Sequence, residues 1–276
     1  MNGTLRGNEK IVTILIKHFF GNFMEITTQN TNEIPFPQEP LWQETLRLIE
    51  EADDAEILTN AKAIGNLLHF NSKESRARYS QAIATRFRRL DRHELHALFD
   101  LAKAGISAES LEKVWRILFC RIEFLFAKTY LELVWPREPG SSLRRDEIRS
   151  YIETAFPQQS MMLYKRLMNC FKQSGYLLPQ GKRDLIIVGF ANLEEALVIA
   201  THLLLAREPR TIKISEIEAN PYWKFLGYKK FDHVRVAFRN AEAKGIIMRY
   251  AVVDHLEQIT TRYTWPELLA NLKGKP

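Results

Sequence analysis

Cysteine is scarce in this sequence, and the two cysteines that do occur lie far apart. Cys120 and Cys170 form no CxxC pair and no other spacing typical of a metal site. Two distant thiols fit a reducing compartment in which both stay buried and unpaired. The cysteine content therefore favours an intracellular protein and gives no support to a zinc site.

Long apolar runs are also lacking. The nearest candidate, Ile11 to Phe20, is ten residues long and contains Lys17 and His18, whereas a membrane-spanning helix needs about 20 apolar residues. The Gly21-Asn22-Phe23 segment that follows is a poor cleavage site for a signal peptide. We therefore expect a cytoplasmic protein with no membrane partner.

The patterns that carry catalysis are missing or incomplete. No glycine-rich phosphate loop occurs, so an ATPase is unsupported. His93, His96 and Asp100 have a helical spacing, but it is not the HExxH spacing of a zinc protease. Glu216 and Glu218 lack the lysine and aspartate arrangement of a nuclease. The sequence therefore predicts no enzymatic activity, no cofactor, no metal and no small-molecule substrate.

Charge is unevenly distributed along the chain. The formal net charge is +6, but residues 1–60 hold four basic and ten acidic residues, and the remaining residues hold 35 basic and 23 acidic ones. A basic body behind an acidic leading segment indicates a polyanionic partner, most simply nucleic acid.

Composition divides the chain into three parts. Residues 1–40 are predicted to be an irregular acidic leader, because Pro35, Pro37 and Pro40 exclude a helix there. This leader is either a loosely held arm or a segment ahead of a true start at Met24. Residues 41–138 are predicted to be a helical domain, and the Pro- and Gly-rich stretch 136–142 separates it from a winged-helix-like part, 139–276.

The helical domain contains a helix-turn-helix outline. A helix ending near Gly65 is followed by a turn and by a helix from about residue 72 to Leu90, with Tyr79, Ile83 and Phe87 on its buried face. Residues 73–92 carry seven basic and two acidic residues. A further long apolar helix over residues 111–135 is predicted to form the centre of the core.

After the boundary a helix–helix–hairpin pattern occurs twice. The first copy has helices over 143–156 and 160–174, then Gly175 and a β-hairpin; the second has helices over 193–207 and 230–244, then Gly245 and a hairpin. This order is typical of winged helices. We therefore predict a mainly α fold with an N-terminal helix-turn-helix and helical bundle, followed by winged-helix-like units with small β-hairpin wings.

The candidate DNA-binding residues are the basic residues that these patterns place on outward helix faces, helix starts and a wing tip. They are Arg76, Arg78, Arg86, Arg88 and Arg89 in the helix-turn-helix, Lys165, Lys172, Lys182 and Arg183 in the first wing unit, and Lys229, Lys230, Arg235 and Arg239 in the second. Arginine suits both phosphate contact and guanine recognition. A solvated basic surface, or a wing that docks a protein, is the alternative interpretation.

Several segments resemble the BrxA family of bacterial BREX phage-resistance systems. These are the Gly65-Asn66-Leu67-Leu68 turn into Ser75-Arg76-Ala77-Arg78, the Gly175-Tyr176-Leu177-Leu178 helix end, the block from Asn220 to Leu226, and the closing Thr264-Trp265. The resemblance covers about residues 55 to 265, and the long acidic leader departs from it.

The resemblance implies an accessory protein of a phage-defence system that binds double-stranded DNA and has no enzymatic activity. Other proteins of the defence system are further expected partners. The main alternative is a scaffold or assembly factor whose winged helices dock other proteins of the defence complex. Binding of RNA by the central helical block is a third hypothesis.

Overall fold

The computed structural model describes residues 39–273 except 71, 158–159 and 191–192. The protein is mainly helical with two small antiparallel sheets of three strands. The predicted mainly α fold with small β-hairpin wings is therefore confirmed. All but the last two residues of the predicted 1–40 leader lie outside the described residues.

Helices alone make up the described chain ahead of the first sheet. They are α1 (Trp42–Glu51), a 3-10 turn (Ala55–Thr59), α2 (Ala61–Leu67), α3 (Lys73–Phe87), α4 (Arg92–Ala104), α5 (Ala108–Ile122), α6 (Phe124–Thr129) and a π-helical turn (Tyr130–Val134). Helices α2 and α3 pack together as the predicted helix-turn-helix. The Ser72 hydroxyl begins α3 by accepting a hydrogen bond from the Ser75 amide at 3.0 Å.

The first sheet belongs to a winged-helix repeat. Its elements are β1 (Ser142–Arg144), α7 (Arg145–Ala155), α8 (Ser160–Gln173), β2 (Leu177–Gln180) and β3 (Asp184–Ile187), and the strand order is β1-β3-β2. Gly175, with a φ of 75°, allows the chain to turn from α8 into the hairpin.

The second sheet has the same topology. Its elements are α9 (Glu194–Leu205), β4 (Thr211–Lys213), α10 (Ile214–Ala219), α11 (Tyr222–Phe225), α12 (Phe231–Ala243), β5 (Ile247–Val253) and β6 (Leu256–Thr261), and α13 (Trp265–Lys273) follows. The strand order is β4-β6-β5, so β4 corresponds to β1, α10 to α7 and α12 to α8. The helix predicted over 193–207 is therefore not the counterpart of the 143–156 helix, because α9 precedes β4. Gly245, with a φ of 70°, stands where Gly175 stands in the first repeat.

Two predicted helices differ from the structure. The helix expected from Leu143 begins only at Arg145, because Leu143 is a buried strand residue paired with Leu185. The helix expected over 111–135 is interrupted at Glu123, whose backbone leaves the helical region. The carboxylate of Glu123 is buried there and forms an ion pair with Arg86.

The chain forms two compact units. The described residues of the first unit come from Pro35–Lys103 and Leu118–Phe190, and those of the second come from Ala104–Ile117 and Ala191–Pro276. The predicted division at residues 138 and 139 falls inside the first unit. Aromatic rings pack across that position, since Tyr130 lies 4.2 Å from Tyr176 and Phe126 lies 4.5 Å from Phe171 between ring centroids.

The core of the second unit is built around α9. Residues Ala196 to Leu203 of this helix are all buried, so the helix is enclosed on every side. The Thr201 and Tyr222 hydroxyls are 2.7 Å apart in a buried hydrogen bond that joins α9 to α11. In the described residues, no helix is long and apolar enough to cross a membrane.

Candidate nucleic-acid interface

Helix α3 presents two of the predicted arginines to solvent. Arg76 and Arg78 are exposed, whereas Ile83 and Phe87 are fully buried on the opposite face. The Arg78 guanidinium lies 4.6 Å from the centroid of the Tyr79 ring and donates a hydrogen bond of 2.9 Å to its hydroxyl. These contacts orient Arg78 without neutralising it.

The prediction that Arg86 contacts DNA is wrong. This side chain is 1% exposed and forms an ion pair of 3.1 Å with the equally buried Glu123. Its guanidinium also donates hydrogen bonds to the carbonyls of Pro40 (2.9 Å) and Glu39. Arg86 follows Ile83 by three residues and precedes Leu90 by four, so helical periodicity places it on the buried face.

The two remaining arginines after α3 have structural contacts as well. Arg88 is exposed but donates a hydrogen bond of 2.8 Å to the Thr59 carbonyl. Arg89 is about four-fifths buried, and its guanidinium lies 3.7 Å from the Glu123 carboxylate. Of the five arginines predicted in the helix-turn-helix, Arg76 and Arg78 are therefore the best placed to contact an external anion.

In the first winged-helix repeat, the basic residues lie where a ligand could reach them. Lys165 is exposed on α8, and Lys172, near the end of the same helix, is half-buried. Lys182 and Arg183 are exposed at the tip of the β2–β3 wing, where Gly181 turns the chain with a φ of 70°. Helix and wing tip are the two parts with which such folds hold duplex DNA.

A small cavity connects α3 to α8 inside the first unit. Its volume is about 180 Å³, and Glu39, Arg78, Tyr79, Ala82 and Arg166 line it. One arginine from each helix therefore lines the same space. The Glu39 carboxylate is the one acidic group in this lining, and it accepts a hydrogen bond of 2.9 Å from the Asn169 side chain.

Arg166 was absent from the predicted set. Arg166 directly precedes the fully buried Leu167. Its position on the helix therefore does not predict an exposed side chain. The neighbouring Lys165 is the predicted contact because it lies opposite the buried residues of α8. Only the packing of α3 against this part of the unit brings Arg166 and Arg78 together.

In the second repeat, one of the predicted arginines is paired with carboxylates. Arg235 of α12 lies 2.8 Å from both Asp232 and Glu257 and 3.7 Å from Glu218. The hydrogen bonds that Arg235 donates to the Glu257 and Asp232 carboxylates raise the pKa of its guanidinium. Because its charge is compensated by these carboxylates, the structure does not favour Arg235 as a DNA contact.

The other basic candidates of the second repeat are more open. Lys230 is exposed immediately before α12, and Lys229 is half-buried. Arg239 is exposed, with its guanidinium 5.0 Å from the Tyr250 ring centroid. Of the two arginines on α12, Arg239 is therefore the more accessible to a ligand.

The acidic and histidine residues considered for catalysis lie in ordinary contacts. His96 Nε2 is 3.5 Å from a Glu56 carboxylate oxygen, and Glu216 is 3.5 Å from Arg210. Within the described ranges, no group of three or more His, Cys, Asp or Glu side chains could hold a metal ion.

Comparison with known proteins gives no relative for this chain. No protein-family model, no curated protein and no solved structure matches it.

Proposed function

We propose that the protein is a non-enzymatic, cytoplasmic, double-stranded DNA-binding accessory protein of a bacterial phage-defence (BREX) system. The observation that carries the DNA-binding part is the placement of Arg78 and Arg166 around one cavity between α3 and α8. The exposed Lys165, Lys182 and Arg183 belong to the same compact unit. The phage-defence part depends on the sequence resemblance to the BrxA family.

The proposed contact is made mainly with phosphates. Arginine and lysine side chains on α3, on α8 and at the wing tip supply positive charge, and the guanidinium groups match phosphate oxygens in geometry. Phosphate contacts position a protein on the duplex and carry no sequence information by themselves. We therefore expect unrelated duplexes to bind with similar affinity.

Fluorescence anisotropy with labelled random duplex DNA, single-stranded DNA and duplex RNA tests this proposal. We expect the duplex DNA to bind most tightly, with affinity that falls steeply as salt is added. The Lys182→Ala/Arg183→Ala variant should bind at least tenfold more weakly, about 1.4 kcal/mol. The matched control is Lys213→Ala/Lys273→Ala, which removes two exposed lysines from the second unit; its affinity should stay near that of the wild type.

The contribution to phage defence is tested separately. In a strain that carries the defence operon, deletion of this gene should raise phage plating, and the Lys182→Ala/Arg183→Ala variant should restore less protection than the wild type. Full protection by a variant that no longer binds DNA would separate the defence role from DNA binding.

The second candidate function is a scaffold that docks other proteins. One observation favours it: the hairpin of the second repeat exposes Met248, Val252, Val253 and Leu256, each at least 46% accessible. Apolar side chains gathered on one surface element are typical of protein interfaces. Intact defence in a variant that no longer binds DNA would favour the scaffold.

A further inference from the structure

The outer strands of the two wings differ, although the repeats share one topology. Strands β2 and β5 both lie at the edge of their sheets. β2 has four residues and includes Pro179, which has no N–H to offer a neighbouring strand. β5 has seven residues, contains no proline, and has Arg249 as its single charged residue. The first wing has a protected edge, and the second wing has an open one.

The geometry of the second hairpin defines which backbone groups are open. Asp254 and His255 have φ values of 48° and 67°, which are the two positive values of a type I′ turn. Such a two-residue turn closes on a hydrogen-bonded pair, here Val253 and Leu256. Because hydrogen-bonded and non-hydrogen-bonded pairs alternate, the N–H and C=O groups of Tyr250 and Val252 point away from β6.

An open edge with exposed apolar side chains is a surface that proteins normally protect or use. Met248, Val252 and Val253 are 59%, 59% and 52% exposed along β5. The only strand with which β5 pairs in the described chain is β6. A strand that paired with β5 would need few charges and a similar apolar character.

We propose that β5 pairs with β5 of a second copy of this chain, giving a symmetric dimer with a continuous six-stranded sheet. In the register that we propose, Ala251 lies on the two-fold axis and Tyr250 lies opposite Val252 of the second copy. The open backbone groups of these two residues then exchange hydrogen bonds in both directions. A self-complementary patch of this kind is what two-fold symmetry requires.

The charge pattern of β5 brings no like charges together when a second copy is the occupant. Arg249 lies opposite Val253 of the second copy in this register, so the one charged residue of β5 never faces its own equivalent. The nearby Glu257 is already paired with Arg235 at 2.8 Å and brings no uncompensated charge to the seam. The dimer does not rest on the proposed DNA binding, because its contacts are made by backbone groups and apolar side chains of β5.

Cysteine cross-linking tests the proposed axis. Opposed residues of a non-hydrogen-bonded antiparallel pair have Cα atoms about 4.5 Å apart, which suits a disulfide. The Ala251→Cys variant should therefore form a reducible covalent dimer under mild oxidation. The native Cys120 and Cys170 are buried and should not react.

Gln258→Cys is the matched control for this cross-link. Gln258 is the cross-strand neighbour of Ala251 on β6. In the dimer its two copies are separated by three strand spacings, about 14 Å, which no disulfide can bridge. Equal cross-linking of both variants, or of neither, would overturn the proposed pairing.

Sedimentation equilibrium without DNA tests the edge itself. The wild type should be a dimer, and Val252→Pro should weaken dimerisation at least about tenfold, because proline removes an N–H that points to the open edge. Leu256→Gln, which removes an exposed apolar side chain from β6, should dimerise like the wild type. A monomeric wild type at sub-millimolar concentration, or equal behaviour of Val252→Pro and wild type, would contradict the dimer. Loss of the dimer in both variants would move the contact to the hairpin tip and also overturn the proposal. Circular dichroism should show that both variants are folded.

Discussion

The buried ion pair between Arg86 and Glu123 gives the sharpest prediction about stability. Both side chains are 1% exposed, and Arg86 also donates hydrogen bonds to two backbone carbonyls. Replacing Arg86 by methionine keeps an extended apolar side chain but leaves a buried carboxylate without its main partner. Removal of one partner from such a pair costs about 3–5 kcal/mol. We expect Arg86→Met to lose stability in this range.

Arg88→Met is the matched control, since it makes the same replacement two residues along the chain. Arg88 is exposed and contributes one hydrogen bond to the Thr59 carbonyl, so its loss should cost about 1 kcal/mol or less. Urea denaturation followed by circular dichroism measures both variants. Equal stability of Arg86→Met and Arg88→Met would refute the reasoning.

A second substitution separates the effect of the unpaired carboxylate from the effect of altered packing. Adding Glu123→Leu to Arg86→Met removes the unpaired carboxylate, and a pair replaced by apolar residues is often close to neutral. The double variant should therefore be more stable than Arg86→Met alone. If Glu123→Leu lowered stability further in the Arg86→Met background, the carboxylate would not be the source of the loss.

Two further predictions concern the second unit. Burial lowers the pKa of His202 to about 4 from its ordinary 6.5. As the pH drops below 6.5 the unfolded state therefore binds a proton that the folded state does not, and stability falls. The wild type should lose about 2 kcal/mol of unfolding free energy between pH 7 and pH 5. His202→Leu should lose less over the same range in urea titrations, and an unchanged pH dependence would show that this residue does not cause it. Gly245→Ala should cost about 1–2 kcal/mol, because φ is 70° and the added Cβ lies 3.4 Å from Arg262; a thermal melt equal to that of the wild type would contradict the required left-handed backbone.

The repeated wing units were largely predictable from the sequence, but their first strands were not. Helical periodicity and the glycines at 175 and 245 indicated the helices and hairpins. The three-residue strands β1 and β4 are too short to show an alternating pattern. A sequence signal was nevertheless present, since Ser142-Leu143-Arg144 and Thr211-Ile212-Lys213 both place an aliphatic residue between a hydroxyl residue and a basic one, directly ahead of a helix.

The break in the central helix and the role of Arg86 were less predictable. Glutamate is a good helix former, so nothing local in the sequence marks Glu123 as a break. The buried partner of Glu123, Arg86, is 37 residues away. A count of arginines along α3 therefore overestimates the charge available to a ligand, because one of them neutralises a buried carboxylate.

The candidate interface shows the same division between local and tertiary information. Exposure of Lys165, Lys182 and Arg183 follows from helix faces and from the turn at Gly181, and the sequence predicted it. The approach of Arg78 to Arg166 depends on the packing of α3 near α8, which no periodicity encodes. The charge of Arg235 on α12 is likewise compensated by a residue that is distant in sequence, Glu257 on β6.

The salt dependence of duplex binding tests the central claim most directly. The slope of log affinity against log salt is negative, and each phosphate contact that is lost should make it shallower by about 0.9. We predict a steep negative slope for the wild type. The slope should be shallower by about 2–3 for Arg78→Ala/Lys182→Ala/Arg183→Ala and unchanged for Lys213→Ala/Lys273→Ala. Identical slopes for the wild type and the triple variant, or no duplex binding by the wild type at low salt, would contradict the proposed interface.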